Sequence, residues 1–295
     1  MFLNALADTL PHTLGELYKA MKMTMSEAGI LTAELDARLI LDERCGMDWS
    51  RIISDPGYIL SDDDINVIAK DLAQRLNGKP LSKIYCKREF WGLEFEVNDD
   101  VLDPRPDSET IIDIALKLYT KDAPLRILDM GTGTGCLLIA LLSEFPNASG
   151  MALDVSDKAL AVAKRNAIRH NLDKRTVFLQ SDWFEGLDDE ERFDLIVSNP
   201  PYIRESVIPE LEPEVRDFDP ILALDGGADG LQAYKKIFSS LSHHLNPQGT
   251  GLFEIGYDQK EDVMRLGRES RFSRVNVHPD LAGQPRVVEI CCGDK

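Results

Sequence analysis

Arg126-Ile127-Leu128-Asp129-Met130-Gly131-Thr132-Gly133-Thr134-Gly135 decides how this chain is read. An apolar run with the pattern of a buried strand passes directly into glycines separated by single residues. Cys136 to Glu144 then has the pattern of a helix. A glycine loop between a strand and a helix lets a ligand approach bare backbone N–H groups. Moving outward, Gly150–Asp154 reads as a strand, Ala159–His170 as a helix, and Val177–Gln180 and Phe193–Ser198 as strands. A helix at Leu231–Leu245 and a strand at Thr250–Ile255 follow, and Phe272–Val277 and Val287–Cys291 read as a closing strand pair. Continuous apolar runs such as Leu195-Ile196-Val197 belong to strands covered on both faces. Alternating strand and helix units predict an α/β fold with a doubly wound, mostly parallel sheet.

The residues before this alternation differ in kind. Up to about Leu76 the apolar spacing is helical. Thr13-Leu14-Gly15-Glu16 has the form of a capping box, Thr32 stands as N-cap of the next helix, and Ser61-Asp62-Asp63-Asp64 opens a third with acids in its first turn. Asn77-Gly78-Lys79-Pro80 stops that helix. Glu89-Phe90-Trp91-Gly92-Leu93-Glu94-Phe95-Glu96-Val97 alternates as a half-buried strand or hairpin does. Asp103-Pro104-Arg105-Pro106 is stiffened by its prolines, and Asp107 or Ser108 can cap a helix from Thr110 to Tyr119. The expected organisation is therefore a helical domain at 1–78, a β-hairpin connector at 79–105 and an α/β domain at 106–295.

Composition narrows the class. The chain has 295 residues, 43% hydrophobic and 28% charged, with a net charge of −18. A field of that sign opposes nucleic acid and anionic membranes as partners. No apolar run reaches spanning length, and Met1-Phe2-Leu3-Asn4-Ala5-Leu6-Ala7-Asp8 lacks the basic start of a signal peptide, so a cytoplasmic protein is expected. Cys45, Cys86, Cys136, Cys291 and Cys292 show no zinc-ligand spacing and read as reduced thiols. The histidines are scattered or, at His243-His244, adjacent and so divergent on a helix, which gives no metal site.

Candidate site residues fall at the carboxyl ends of the successive strands, where open α/β sheets bind ligands. The spacing Gly131-x-Gly133-x-Gly135, with Asp129 before it, differs from the dinucleotide fingerprint and fits a nucleoside ligand without a pyrophosphate, such as S-adenosylmethionine. Asp154 ends the second strand, where a carboxylate can accept both ribose hydroxyls. Asp182 and Trp183 end the third, an acid for an adenine amino group and an aromatic ring to cover the base. Asn199-Pro200-Pro201-Tyr202 ends the fourth. Neither proline has a backbone donor and both fix φ, so the corner presents carbonyl oxygens, an amide and an aromatic ring. The arrangement resembles class I methyltransferases that act on planar amide or amino nitrogens. There the Asn199 oxygen and the Pro200 carbonyl accept the N–H hydrogens and Tyr202 stacks on the planar group, so that positioning and electrostatics carry catalysis.

Six segments together make the resemblance specific: Arg88-Glu89-Phe90-Trp91-Gly92-Leu93, Pro104-Arg105-Pro106-Asp107-Ser108-Glu109, Leu128 to Gly135, Gln180-Ser181-Asp182-Trp183, Ser198-Asn199-Pro200-Pro201-Tyr202-Ile203 and Asp280-Leu281-Ala282-Gly283-Gln284-Pro285-Arg286. In this order they are similar to the peptide chain release factor glutamine methyltransferase family, from about Thr32 to the C-terminus. The resemblance implies S-adenosylmethionine as cofactor and N5-methylation of the glutamine in the Gly-Gly-Gln motif of class I release factors. It also implies a helical N-terminal domain that helps dock the factor. Carried onto this chain, Gly131, Thr132, Gly133, Thr134, Gly135, Asp154, Trp183 and Asn199 would bind cofactor, joined by Asp129 and Asp182 from their places at strand ends. Asn199, Pro200, Pro201 and Tyr202 bind substrate, with Asn199, Pro200 and Tyr202 at the chemistry.

Three positions depart from the family pattern: Asp103 where an apolar residue is usual, Cys86 where glycine is common, and Ser108 in place of threonine. The rival readings are a ribosomal-protein glutamine methyltransferase, an adenine-N6 nucleic-acid methyltransferase and a non-catalytic cofactor-binding adaptor. The Phe90-Trp91-Gly92 and Pro-Arg-Pro segments weigh against the first, the net charge against the second and the intact Asn199 corner against the third.

Overall fold

A computed structural model describes residues 6–292; residues 1–5, part of the stretch read for a signal peptide, and residues 293–295 lie outside it. The chain divides into two compact units, Met1–Cys86 and Lys87–Lys295. The expected connector thus straddles the division, with a short helix, Leu81–Tyr85, before it and the hairpin after it.

The first unit packs helices Leu14–Glu27, Ala33–Cys45, Trp49–Ser54 and Asp62–Leu76 around Leu17, Met21, Ile40, Leu41, Ile68 and Leu72. Ser61 and Asp64 form a reciprocal capping box, each backbone N–H given to the other's side chain at 3.1 and 3.2 Å. The caps expected at Thr13 and Thr32 do not form. Thr13 donates its hydroxyl to Glu16, because the first-turn N–H groups of Leu14 and Gly15 are already taken by the carbonyls of Tyr58 and Pro56. Thr32 likewise donates to the Asp36 carboxylate. The polar side of Asp62–Leu76 is not all solvated: the Arg75 Nε donates to Asp36 at 2.7 Å, and Arg44 and the Tyr85 hydroxyl reach Asp71, with Asp36, Asp71 and Arg75 all buried.

The second unit opens with strands β1 (Lys87–Phe90) and β2 (Leu93–Glu96), paired antiparallel so that Phe90 faces Leu93 across Trp91-Gly92. Both turn residues are left-handed, φ +53° and +68°, the geometry that matches strand twist. Trp91 holds that conformation by donating its backbone N–H to Glu109 and its indole N–H to Glu144, both at 2.8 Å.

The remaining strands are β3 (Arg126–Met130), β4 (Ser149–Asp154), β5 (Thr176–Gln180), β6 (Phe193–Ser198), β7 (Leu245–Glu254), β8 (Arg274–Pro279) and β9 (Pro285–Cys291). They form one seven-stranded sheet in the order β5-β4-β3-β6-β7-β9-β8. All pairs up to β7 are parallel and β9 runs antiparallel to both neighbours. Alternate residues serve opposite faces. Ile127, Leu195 and Val197 pack beneath helices Glu109–Leu118 and Cys136–Glu144, and Leu128, Ile196 and Phe253 pack beneath helix Gln232–His244. Strand order reverses beside β3, so β3 and β6 open a crevice at their carboxyl ends. Strand β7 begins at Leu245 instead of Thr250, because Phe193 pairs with Leu245 before the register shifts at Leu195. Helix Glu109–Leu118 has no side-chain cap: the Ser108 hydroxyl is committed elsewhere.

Cys86 lies in the left-handed region at φ +55°. That is the conformation only glycine adopts without steric cost, which fits the glycine that the family resemblance leads one to expect there. Among the described residues its exposed thiol makes a long contact, 3.8 Å, to the Lys83 carbonyl. Cys86→Gly is expected to raise stability by about 0.5–1 kcal/mol, relief of strain exceeding the added unfolded-state entropy. Urea unfolding measures this, and a loss of stability would contradict it.

Candidate active site

At the end of β3 the backbone enters the left-handed region at Gly131 (φ +67°), Gly133 (φ +54°) and Gly135 (φ +82°). Gly135 is needed for packing, since a Cβ there would stand 3.1 Å from Ile139 and 3.2 Å from Ala163. Gly131 and Gly133 instead turn bare backbone towards a cavity of about 340 Å³, within the range of small-molecule sites. Asp129, Thr132 and Thr134 are buried behind the loop and shape it. Thr132 donates its hydroxyl to Asp129 at 2.6 Å, and Thr134 accepts the Cys136 N–H at 3.3 Å. Burial pushes the Asp129 carboxyl up to about 7, against the hydrogen bond from Thr132.

Asp154, from the end of β4, lines the same cavity. Its carboxylate accepts the Gly133 N–H and the Ser156 N–H, each at 2.9 Å, so it braces the glycine loop and retains lone pairs for a ligand. Burial raises its pKa, opposed by these backbone donors. Trp183 is left-handed at φ +53°, and Ser181 fixes that turn by donating to the Trp183 carbonyl and accepting the Gly186 N–H. The indole lies against Gly131, 4.0 Å from where a Cβ would stand. Asp182 is paired with Lys236 at 2.8 Å, a cavity residue that sequence reading missed.

Asn199 and Pro201 line the cavity as well, while Pro200 is buried and Tyr202 half-buried beside them. The corner is anchored by Ser198, whose hydroxyl donates to the Met130 carbonyl at 2.6 Å. The Tyr202 carbonyl accepts from Gln259 at 3.0 Å, and Gly226 packs so tightly that a Cβ there would meet the Tyr202 backbone at 2.8 Å. The Asn199 side-chain N–H donates to the Ser108 hydroxyl at 3.1 Å, which in turn donates to Glu254 at 2.5 Å. The Tyr202 hydroxyl donates to the other Glu254 oxygen at 3.2 Å. Arg286 stands near this group, bound to Asp107 at 3.0 Å and Asp280 at 3.1 Å. The sequence pattern assigns Glu254 no role and offers Asp107 or Ser108 as a helix cap. The available signal was a lone carboxylate inside the apolar run Gly251-Leu252-Phe253-Glu254-Ile255. Among the described residues no group of His, Cys, Asp and Glu is arranged to hold a metal.

A mostly parallel seven-stranded sheet with a glycine loop after its central strand, a carboxylate after the next and an Asn-Pro-Pro-Tyr corner across the crevice defines a class I methyltransferase. Family models agree: the methyltransferase small domain matches residues 108–210 and the PrmC N-terminal domain matches residues 16–85. The release factor glutamine methyltransferase of Caulobacter vibrioides is 41% identical over 94% of this chain and 95% of its own length. That of Agrobacterium fabrum is 38% identical over 91% and 94%. The chain belongs to the release factor glutamine methyltransferase family. Among solved structures, the hMettl16 catalytic domain in complex with MAT2A 3′UTR hairpin 6 has a TM-score of 0.58 at 19% identity, covering 76% of this chain and 82% of that one. A methyltransferase from Pyrococcus furiosus has a TM-score of 0.51 at 20% identity, covering 77% and 100%. These two likenesses speak to the fold alone.

The folded-state pKa of Asp129 lies above its ordinary 3.8, at about 7. Its contribution to stability is therefore full below pH 3.8 and lost as pH rises through about 7. Asp129→Asn removes that dependence. Its stability relative to the wild type is expected to improve by about 4 kcal/mol between pH 4 and pH 8, measured by urea unfolding at both. A difference that does not change with pH would contradict a buried, reluctantly ionised Asp129.

Proposed function

We propose that this enzyme methylates the side-chain amide nitrogen of the Gly-Gly-Gln glutamine in class I peptide chain release factors, with S-adenosylmethionine as methyl donor. The observation that carries the reading is that Gly131, Gly133, Asp154, Trp183, Asn199 and Pro201 line one cavity. The family membership supports the same activity.

The residues present fit the cofactor. Gly133 has open space where a side chain would be, Asp154 has lone pairs to spare for ribose hydroxyls, and the Trp183 ring offers an apolar surface for a purine. Gly131, Gly133, Asp154, Asp182 and Trp183 would hold it, with Asp129, Thr132, Thr134 and Gly135 keeping the loop in shape. When bound, the cofactor supplies an electrophilic methyl group on a sulfonium.

The target amide nitrogen is a poor nucleophile because its lone pair is delocalised into the carbonyl. The Asn199 side-chain oxygen and the Pro200 carbonyl accept its two hydrogens, orient the lone pair and favour pyramidal geometry. Tyr202 covers the planar group, its hydroxyl tied back to Glu254. As the nitrogen acquires positive charge its protons become better donors, so both acceptors gain strength in the transition state. The methylated nitrogen loses a proton readily, and no strong base is required.

Intact-mass and peptide mapping of a class I release factor after incubation with enzyme and cofactor tests the assignment. A single added methyl on the Gly-Gly-Gln glutamine is expected, and labelling of adenine in DNA or RNA in its place would overturn it. Asn199→Ala is expected to lower the single-turnover rate at saturating cofactor and release factor by about a hundredfold or more, with little change in substrate affinity. A folded variant with a near-normal rate would reduce this corner to a turn. Asp154→Ala is expected to weaken cofactor binding by about 1–3 kcal/mol in calorimetry, and unchanged affinity would remove the ribose assignment.

A further inference from the structure

A carboxamide has two ends of opposite polarity on one rotatable bond, and only the oxygen of Asn199 serves the proposed chemistry. A reversed Asn199 would present NH₂ to the N–H groups of the substrate, donor against donor. The site therefore needs a reason for the amide to face one way. The structure supplies one in the chain Asn199–Ser108–Glu254.

We propose that Glu254 and Ser108 are positioning residues: ionised Glu254 takes the one hydroxyl proton of Ser108, compels that oxygen to accept from Asn199, and so turns the Asn199 carbonyl oxygen to the substrate. This rests on the reading of Asn199 as acceptor of the substrate amide. Serine has a single hydroxyl hydrogen, and an ionised carboxylate only accepts. With that hydrogen committed to Glu254 at 2.5 Å, Ser108 has only lone pairs to offer at 3.1 Å, and only the NH₂ of Asn199 can use them. Protonating Glu254 on the oxygen that faces Ser108 reverses the chain. The carboxylic acid donates to Ser108, the freed hydroxyl hydrogen turns to the Asn199 oxygen, and the NH₂ group swings into the cavity.

The groups around Glu254 set where that reversal falls. Ser108 and Asp107 approach from the turn before helix Glu109–Leu118, Tyr202 from the corner, and Arg286 from β9. Tyr234, from helix Gln232–His244, donates to the Glu254 main-chain carbonyl at 2.7 Å. Arg286 favours the carboxylate but is shared with Asp107 and Asp280. Glu254 is 1% exposed, and burial outweighs Ser108, Arg286 and Tyr202, leaving its pKa at about 7. The orientation is thus gated near neutrality, productive above and reversed below. Threonine at position 108 would keep the hydroxyl, so the chain explains why Ser108 is a mild departure from the family pattern.

Neither Ser108 nor Glu254 lines the cofactor cavity. Single-turnover rates are to be measured from pH 6 to 9, at saturating S-adenosylmethionine and class I release factor, with cofactor affinity followed by calorimetry. The wild-type rate is expected to rise with an inflection near 7. Glu254→Gln, whose amide oxygen can still accept from Ser108 but cannot titrate, is expected to lose the inflection, and Ser108→Ala to fall at least about tenfold at pH 8 and lose it too, both keeping cofactor affinity and the KM for release factor within about twofold. Ser108→Thr should recover the rate and inflection that Ser108→Ala loses. Should Glu254→Gln fail to fold, the ¹⁵N-labelled wild type gives the answer alone: the Asn199 side-chain NH₂ resonances, assigned by their loss in Asn199→Ala, should titrate near 7. A wild type that leaves the glutamine unmethylated defeats the assigned activity. An active wild type whose Glu254→Gln and Ser108→Ala forms keep full rate and inflection, or whose Asn199 resonances ignore pH, defeats this proposal alone.

Discussion

The hydrogen bond from Ser108 to the buried carboxylate of Glu254 is the constraint on which the polarity of the site depends. Burying a carboxylate is costly unless donors meet it, and here Ser108 and Tyr202 each satisfy one oxygen. Those two donors come from two separate segments, so a single buried group joins the turn at Pro106–Ser108, the Asn199–Tyr202 corner and the end of β7. The stiffness of Pro200 and Pro201 fixes where the corner's backbone goes. The hydrogen-bond chain fixes which end of the amide it offers.

The sheet places the other half of the site. Parallel strands β3, β4, β5 and β6 all end on one edge, and the reversal of order beside β3 leaves the crevice open there. The glycine loop could collapse into it. Asp154 prevents this by accepting from Gly133, while Gly135 locks the loop against Ile139 and Ala163. Trp183, held left-handed by Ser181, closes the side above Gly131. These parts are preorganised by contacts within the protein, which is what catalysis by positioning requires.

Much of this was legible in the sequence because it is encoded locally. The strand Arg126–Met130 and the helix Cys136–Glu144 lie where the apolar periodicity puts them, and the glycines stand where backbone must bend the left-handed way. Asp154, Trp183 and Asn199 line the cavity, and their place there is legible because strand ends are recognisable from a few residues. The missed parts depend on residues distant in sequence. Ser108 and Glu254 are 146 residues apart, and each has a sufficient local reading, one as a helix cap and the other as a stray charge in a strand. Lys236 meets Asp182 across 54 residues, and Arg75 meets Asp36 across 39. The cap expected at Thr13 failed for the same reason, because backbone carbonyls of Pro56 and Tyr58 had already satisfied the first turn, whereas at Thr32 a local partner prevailed and the hydroxyl turned to Asp36.

Neutron diffraction from perdeuterated crystals grown at pH 8 locates the hydrogens that define the chain and so decides which way the Asn199 amide faces. The expected density shows a deuteron on Ser108 directed at an ionised Glu254, both Asn199 amide deuterons on the side of Ser108, and the Asn199 oxygen bare to the cavity. A deuteron on Glu254 directed at Ser108, with the Asn199 ND₂ group facing the cavity, would contradict it.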